Sequence, residues 1–533
     1  MFWTDSEVNV IREQYRERIA ADEPLIIRDE KTPSGRVHFG SMLGVALHGV
    51  VSEVLSEDRI GNIYRFEFND FDPMDDLPAD LSGRGFEQYM GQPLYTVPAP
   101  DDRAENFAAY YAEEFKDAIT DLGFYPEFYN ASDLYRRGDM NTVIRLALEH
   151  KDTIRSIYQR VSKSEKPADW YPLQVVCESC GKIGTTKVTH FDGKQVTYQC
   201  LPDLVSWATG CGREGTISPF DGRAKMPFKV EWAAKFAVLN VHVEGGGKDH
   251  ATKGGTRDVA NAIAREVFSQ QPPHDIPYEF ILVGGKKMSS SKGRGVSARE
   301  IVDMVPPEIA RLALVGKKPS RQKNFDPHGD TIPVLFDTYD QMADKYFEGI
   351  DDDDARAFPL LHPPEDRETL MDYHRPRFSH IASLLQLPHV DLYEELGAIK
   401  GAQLTDVEKQ EADYRAAYAQ SWLDHYAPEE FKLHLYMDEP PITPDELTPQ
   451  QREALARVRD YIAQQDSLDG QQLHTALHDI RKEMEIEPKA FFSALYLAFL
   501  GKESGPKAGW FLSVLERDLL LHRLAVLSRT VGT

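Results

Sequence analysis

Residues 23–70, "EPLIIRDEKTPSGRVHFGSMLGVALHGVVSEVLSEDRIGNIYRFEFND", decide how this chain folds. "EPLIIRD" (23–29) reads as a short strand, and a loop containing Pro33 and Gly35 follows. Residues 41–57 then carry Leu43, Leu47, Val50, Val51 and Val54 at helical spacing. "GNIYRFEFND" (61–70) is a second strand that ends in acid. This order predicts an α/β fold with a parallel sheet of the Rossmann type, whose ligands sit at the C-terminal ends of the strands.

Working outward, the alternation stops and later resumes. From 73 to 225 the pattern turns helical and then gives way to a cysteine-bearing module. "FAVLNVHVEGGGKDH" (236–250) reads as strand then loop, "TRDVANAIAREVFSQ" (256–270) as helix and "YEFILVGG" (278–285) as the next strand. One sheet interrupted by a long insertion is the simplest arrangement. Residues 1–72 and 226–330 are expected to form a split Rossmann-type domain, 73–225 the insertion, with its cysteine module at about 170–225. Beyond 331 strands nearly vanish. Residues 331–436 make one helical region and 450–533 another, separated by the Pro- and acid-rich "MDEPPITPDELTPQ" (437–450). "KAFFSALYLAFLG" (489–501) and "AGWFLSVLERDLLLHRLAVLS" (508–528) are apolar enough to pack on each other.

The formal charge is −25, from 61 basic and 86 acidic residues in 533. That balance excludes a surface that binds nucleic acid everywhere, but not a local basic track. No uninterrupted run of 18 apolar residues occurs, and the N-terminus reads as a charged amphipathic helix rather than a signal peptide. A cytoplasmic protein is expected, with no membrane partner. The four cysteines all lie between 177 and 211. Cys177 and Cys180 have the two-residue gap of a zinc knuckle, and Cys200 and Cys211 follow. One closed four-thiolate zinc site is the reading these spacings favour, against four reduced thiols in a small core.

Two loops carry the chemistry. In "KTPSGRVHFGSM" (31–42), His38 and Gly40 fall near a helix start, where backbone N–H groups favour anions. Gly40 leaves room for a flat ring, and His38 can donate to a phosphate that gains charge in a transition state. A helix cap with an incidental histidine fits the same residues. In "KKMSSSKG" (286–293), Lys287 and Lys292 can neutralise a polyphosphate, with Ser289, Ser290 and Ser291 donating to its oxygens. A solvated turn is the plainer alternative.

In this order, "HFGS" and "KMSSS" resemble the HIGH and KMSKS signatures of class I aminoacyl-tRNA synthetases. "TPSGRVHFGS" and "KMSSSKG" look like the archaeal-type class I lysyl-tRNA synthetases, as do "NDFDPMDD" (69–76), "KVEWAAKF" (229–236), "GGKDHATKGG" (246–255) and "FFSALYLAFLGKESGP" (491–506). The resemblance runs nearly end to end. It implies a Rossmann-type catalytic domain, a zinc-bearing insertion and an all-α anticodon-binding C-terminal region. It implies ATP, L-lysine and tRNA(Lys) as partners, Mg²⁺ with the nucleotide, and a monomer.

By the same resemblance, Pro33, Ser34, Gly35, His38, Gly40, Ser41 and the run Lys287, Met288, Ser289, Ser290, Ser291 would bind ATP. His38, Lys287 and Lys292 would be catalytic. Ser41 replaces the second histidine of HIGH, and Ser290 the second lysine of KMSKS, so Lys292 stands as the alternative source of that charge. Thr32, Trp232, His250 and Tyr278 are favoured as lysine-pocket positions, with Asp70 and Asp249 as further strand-end candidates. Glu30 is the choice for the ε-ammonium, because buried cations need carboxylates. No cysteine or histidine occurs in "PAPDDRAENF" (98–107), so a single zinc is expected. "GKKPSRQK" (316–323) offers phosphate contacts or a solvated turn. The rival readings are a glutamyl-type synthetase and a non-catalytic RNA-binding protein of the same shape.

Overall fold

Leu25–Lys31 (β1), Asn62–Phe68 (β2) and Glu127–Asn130 (β3) are parallel neighbours in the order β1-β2-β3. The computed structural model describes residues 1–287, 296–387 and 390–529. On the other side of β1 the chain at 241–247 runs parallel to it: Arg28 N donates to Val243 O at 2.9 Å, and Val243 N to Ile26 O at 3.1 Å. The segment at 274–278 extends the sheet again through the Val243–His274 bridge and the Gly246–Gly247 pairing with Pro277–Tyr278. A parallel sheet with its first strand central puts a crevice beside the C-terminal end of β1, where the strand order reverses.

The helix Met42–Glu57 joins β1 to β2 and is buried along nearly its whole length. A sequence this apolar has the length and composition to cross a bilayer, yet it lies inside the protein against the sheet. His48 locks it in place. Its Nδ1–H donates to Gly44 O at 2.7 Å and its Nε2 accepts from Gly245 N at 2.7 Å, tying the helix to the 241–247 segment.

Three elements differ from the sequence reading. β3 lies inside the stretch read as helix and module, because four residues preceded by a proline give no usable period. Phe236–Val238 belong to the helix Phe228–Val238 rather than to a strand. The apolar run at 278–285 is two strands: Pro277–Tyr278 stays with the main sheet, and Ile281–Val283 pairs parallel with Lys323–Phe325 and antiparallel with Lys286–Lys287.

The chain divides into two compact units, Met1–Asp326 with Met342–Leu370, and Pro327–Gln341 with Met371–Thr533. In the first, Thr186–Phe191, Val196–Cys200 and Glu214–Ile217 form the antiparallel sheet of the cysteine module. Described residues of the second contain helices and no strand. Capping boxes at Thr405/Glu408 and Thr448/Gln451 start Asp406–His425 and Pro449–Ala463, satisfying backbone donors that helix starts leave open. The last helices do pack together: Phe499 meets Phe511 at 6.2 Å between rings, and the Arg523 guanidinium sits 5.6 Å over Phe499.

Candidate active site

The first signature segment meets the chain that follows the lysine- and serine-rich run. Phe39 N donates to Val296 O at 3.2 Å and Ala298 N to Val37 O at 2.9 Å, with His38 bridging Ser297. Ser297 and Glu300 form a capping box on the helix Ala298–Met304, which anchors the chain that leaves the lysine- and serine-rich loop. Residues Met288, Ser289, Ser290, Ser291 and Lys292 lie outside the described residues. Lys287 ends the strand Lys286–Lys287, its backbone opposite Leu282.

A cavity of about 260 Å³ opens at the C-terminal end of β1. His38, Gly40 and Ser41 form one wall, Gly247, Asp249 and His250 another, and Tyr278 to Ile281 a third, with Asp29, Glu30 and Lys31 as the floor. Gly44 stands behind the floor. A Cβ there would lie 2.7 Å from Asp29 Oδ2 and 2.9 Å from Tyr278 Oη, so only glycine lets the helix approach these groups. Burial pushes the Asp29 carboxyl up and the Lys31 ammonium down, and it lifts the Tyr278 phenol well above its ordinary range.

Behind the cavity runs a buried ionic network. Arg28 reaches Glu244 Oε1 at 2.6 Å, Glu67 Oε2 at 3.0 Å, Tyr129 Oη at 2.9 Å and the Glu30 carboxylate. Lys235 contacts Glu67, and reaches Glu231 at 3.3 Å and Glu30 at 3.6 Å. Lys225 bridges Asp72 at 3.0 Å and Glu231. Burial alone would neutralise Glu67, but Lys235 and Arg28 hold its pKa down at about 2. Three cations thus face five carboxylates, Glu30, Glu67, Asp72, Glu231 and Glu244. The excess is negative.

Glu244 is the residue that sequence reading misses. Its Oε1 also accepts from Trp232 Nε1 at 2.5 Å, whereas its buried Oε2 has no hydrogen-bond partner among the described residues. Burial raises its pKa, with Arg28 opposing. The only trace in the sequence is an acid that ends the short stretch "VHVE" (241–244).

Of the expected positions, Glu30, His38, Gly40, Ser41, Asp249, His250 and Tyr278 line the one cavity. Trp232 stands behind His250, their rings 5.7 Å apart. Thr32 is not on the cavity surface and donates to Asp72 at 2.7 Å. Pro33, Ser34 and Gly35 do not line it either; Gly35 packs near Pro78. Asp70 is elsewhere: it accepts from Ser132 N and Oγ at 2.7 and 2.6 Å and borders a separate cavity with Phe68 and Asn130. Burial pushes its pKa up to about 6. In the 316–323 stretch Lys317, Lys318 and Arg321 are exposed, but Lys323 is buried in a strand, which lowers its pKa to about 8.

Cys177, Cys180, Cys200 and Cys211 converge, with all four sulfurs within 4.8 Å of one another. Cys177–Cys211 and Cys180–Cys200 are 3.6 and 3.7 Å apart. These are too long for disulfides and match the edge of about 3.8 Å of a tetrahedron with metal–sulfur bonds of about 2.3 Å. Cys211 N and Thr185 Oγ1 lie 3.3 and 3.2 Å from Cys200 Sγ, the outer contacts that orient thiolate ligands. The cluster could hold one metal ion.

Three relatives similar over nearly their whole length carry one description. Lysine–tRNA ligases from Methanosarcina barkeri, Thermoplasma acidophilum and Methanocaldococcus jannaschii are each 30% identical to this chain. The alignments cover 92%, 98% and 99% of it, and 92%, 98% and 100% of the relatives. Residues 429–527 match the anticodon binding domain family. Residues 1–363, which contain the whole sheet, the cavity and the cysteine cluster, match the family described as tRNA synthetases class I (K), and the chain belongs to that family.

Proposed function

We propose that the enzyme is a lysine–tRNA ligase that activates L-lysine with ATP and transfers it to tRNA(Lys). The observation that carries this reading is the similarity to lysine–tRNA ligases over at least 92% of the chain. The lysine carboxylate attacks the α-phosphate in line and releases pyrophosphate, and the adenylate then esterifies the terminal ribose of the tRNA at its 2′-hydroxyl. Positioning and charge neutralisation do most of this work. His38 and the backbone at Gly40 and Ser41 receive the nucleotide, with Lys287 and Lys292 supplying positive charge to its phosphates. Mg²⁺ accompanies the ATP, and a single structural Zn²⁺ occupies the four cysteines. The protein acts in the cytoplasm as a monomer.

Asp249, His250 and Tyr278 bound the amino-acid end of the cavity. An excess of buried carboxylate behind it suits a cationic side chain and disfavours glutamate. Glu30 lines the cavity but is engaged by Arg28 and Lys235. Glu244, through its unpartnered oxygen, is therefore the second candidate for the ε-ammonium. ATP–pyrophosphate exchange with tRNA present tests the reading: lysine should support it and glutamate should not. Exchange driven by glutamate alone, or by neither, would overturn it.

A further inference from the structure

The helix Phe228–Val238 starts beside the amino-acid end of the cavity with a phenylalanine that is 37% exposed. A single exposed apolar residue is ordinary; this one stands out by its neighbours. One face of the Phe228 ring is stacked on the buried Trp232, centroids 5.5 Å apart and planes 21° from parallel. The His250 ring stands 5.8 Å away and itself lines the cavity. Trp232 is held by its bond to Glu244 and by the Arg257 guanidinium, 5.1 Å from its ring. The stack is therefore anchored at one end and open at the other.

The next residue, Lys229, shares an aromatic ring with Lys166. Their ammonium groups lie 5.7 and 5.1 Å from the centre of Tyr158, and Lys166 is also 5.6 Å from that of Trp170. Neither lysine is ion-paired with a carboxylate among the described residues. Burial and the Lys166 charge push Lys229 below the ordinary lysine pKa. In a chain of formal charge −25, two cations that repel each other without a neutralising acid leave a local positive field. The surroundings are fixed. Arg155 donates to Lys166 O at 3.4 Å, and Tyr158 meets Trp170 edge-on at 5.7 Å. Gly254, at φ +74°, brings the loop carrying His250 against the end of the helix Lys151–Ser162; a Cβ there would lie 2.8 Å from Val161 O.

The 2′-hydroxyl that receives the lysyl group has to enter the cavity, so the base on that same ribose comes to rest on the rim. An open aromatic stack with cations alongside takes an unpaired base and its phosphates. We propose that the outer face of Phe228 is the platform for the 3′-terminal adenine of the tRNA, with Lys229 and Lys166 contacting the phosphates that precede it. The inference rests on the reading of the chain as a tRNA ligase, and adds the surface that positions the acceptor nucleotide for transfer.

The test is a cycle of the full chain against two fluorescein-labelled tRNA(Lys) transcripts, one ending in CCA and one lacking the final A. Affinities come from anisotropy titrations without ATP or lysine, and thermal melts confirm that each variant is folded. Wild type should bind the shortened transcript about fivefold or more weakly, the lower end of what stacking a base on an aromatic ring contributes. Phe228→Leu keeps apolar volume without the ring and should bind both transcripts alike; Phe228→Tyr should restore the difference. Lys229→Gln should weaken both transcripts and flatten the salt dependence of binding. A wild type indifferent to the terminal A, or a Phe228→Leu variant that loses as much as wild type, would overturn the platform. An unaltered salt slope in Lys229→Gln would overturn the phosphate contact. Failure of lysine-dependent exchange would instead overturn the ligase reading, which these affinities do not measure.

Discussion

Glu244 and Glu30 make distinct demands on a lysine substrate. Removing a carboxylate that pairs with a buried cation costs about 2–5 kcal/mol, so Glu244→Gln should raise the lysine KM by tens of fold with a smaller change in kcat. Glu30→Gln should act more weakly, since its carboxylate already serves Arg28 and Lys235. Steady-state kinetics over a lysine series would decide it, and an unchanged KM in both variants would remove these two carboxylates from lysine binding. A second effect involves protons. Burial lowers the His242 pKa to about 4, and its Nδ1 accepts from Ile26 N at 3.0 Å. The unfolded chain binds this proton below about 6.5 and the folded one only near 4, so stability is present above 6.5 and lost as pH falls through that window. Unfolding free energies from urea titrations at pH 7 and pH 5 should differ by on the order of 1–2 kcal/mol more in wild type than in His242→Gln. His38 was legible because it stands near a helix start in a short loop, and His250 was singled out only through the family resemblance. Glu244 was not, because its partner Arg28 is 216 residues away and pairing at that distance leaves no spacing to read.

Among the elements, the helix Met42–Glu57 announced itself through regular apolar spacing, and β1 and β2 through short runs of strand formers on either side of it. Elements defined only by their neighbours stayed hidden. β3 has four residues, and the 241–247 segment is held by β1 on one side and by 274–278 on the other. The tight seat of the central helix gives a clear expectation. Gly44→Ala places a methyl group against Asp29 and Tyr278, and should cost about 1–3 kcal/mol in stability while impairing substrate binding. Thermal melts with and without lysine plus Mg-ATP would register both losses; a variant with the wild-type melt and ligand shift would contradict the packing. The cysteine module should bind one zinc ion per chain by atomic emission. Cys180→Ser should lose the ion and melt earlier, and a zinc-free wild type unaffected by chelators would contradict a structural site.

Across the whole molecule, the helical second half was legible as a class but not in its contacts. Its helices carry clear caps and apolar periods, yet a cavity beside Trp510 is assembled from four separate stretches between 377 and 511. The first unit holds its charge differently. Its buried acids, Asp70 apart, gather at and behind the cavity at the end of β1, where the sheet's topology places a ligand. Backbone bonds between Val37–Phe39 and Val296–Ala298 join two segments of distant sequence at that same point. The shared nucleotide is tested most directly by pre-steady-state adenylate formation at saturating lysine, ATP and tRNA. His38→Ala and Lys287→Ala should each slow this step by about 100-fold or more, the usual effect of removing a group that stabilises developing phosphate charge, with lysine affinity little changed. Wild-type rates in both variants would contradict a site built from these two segments.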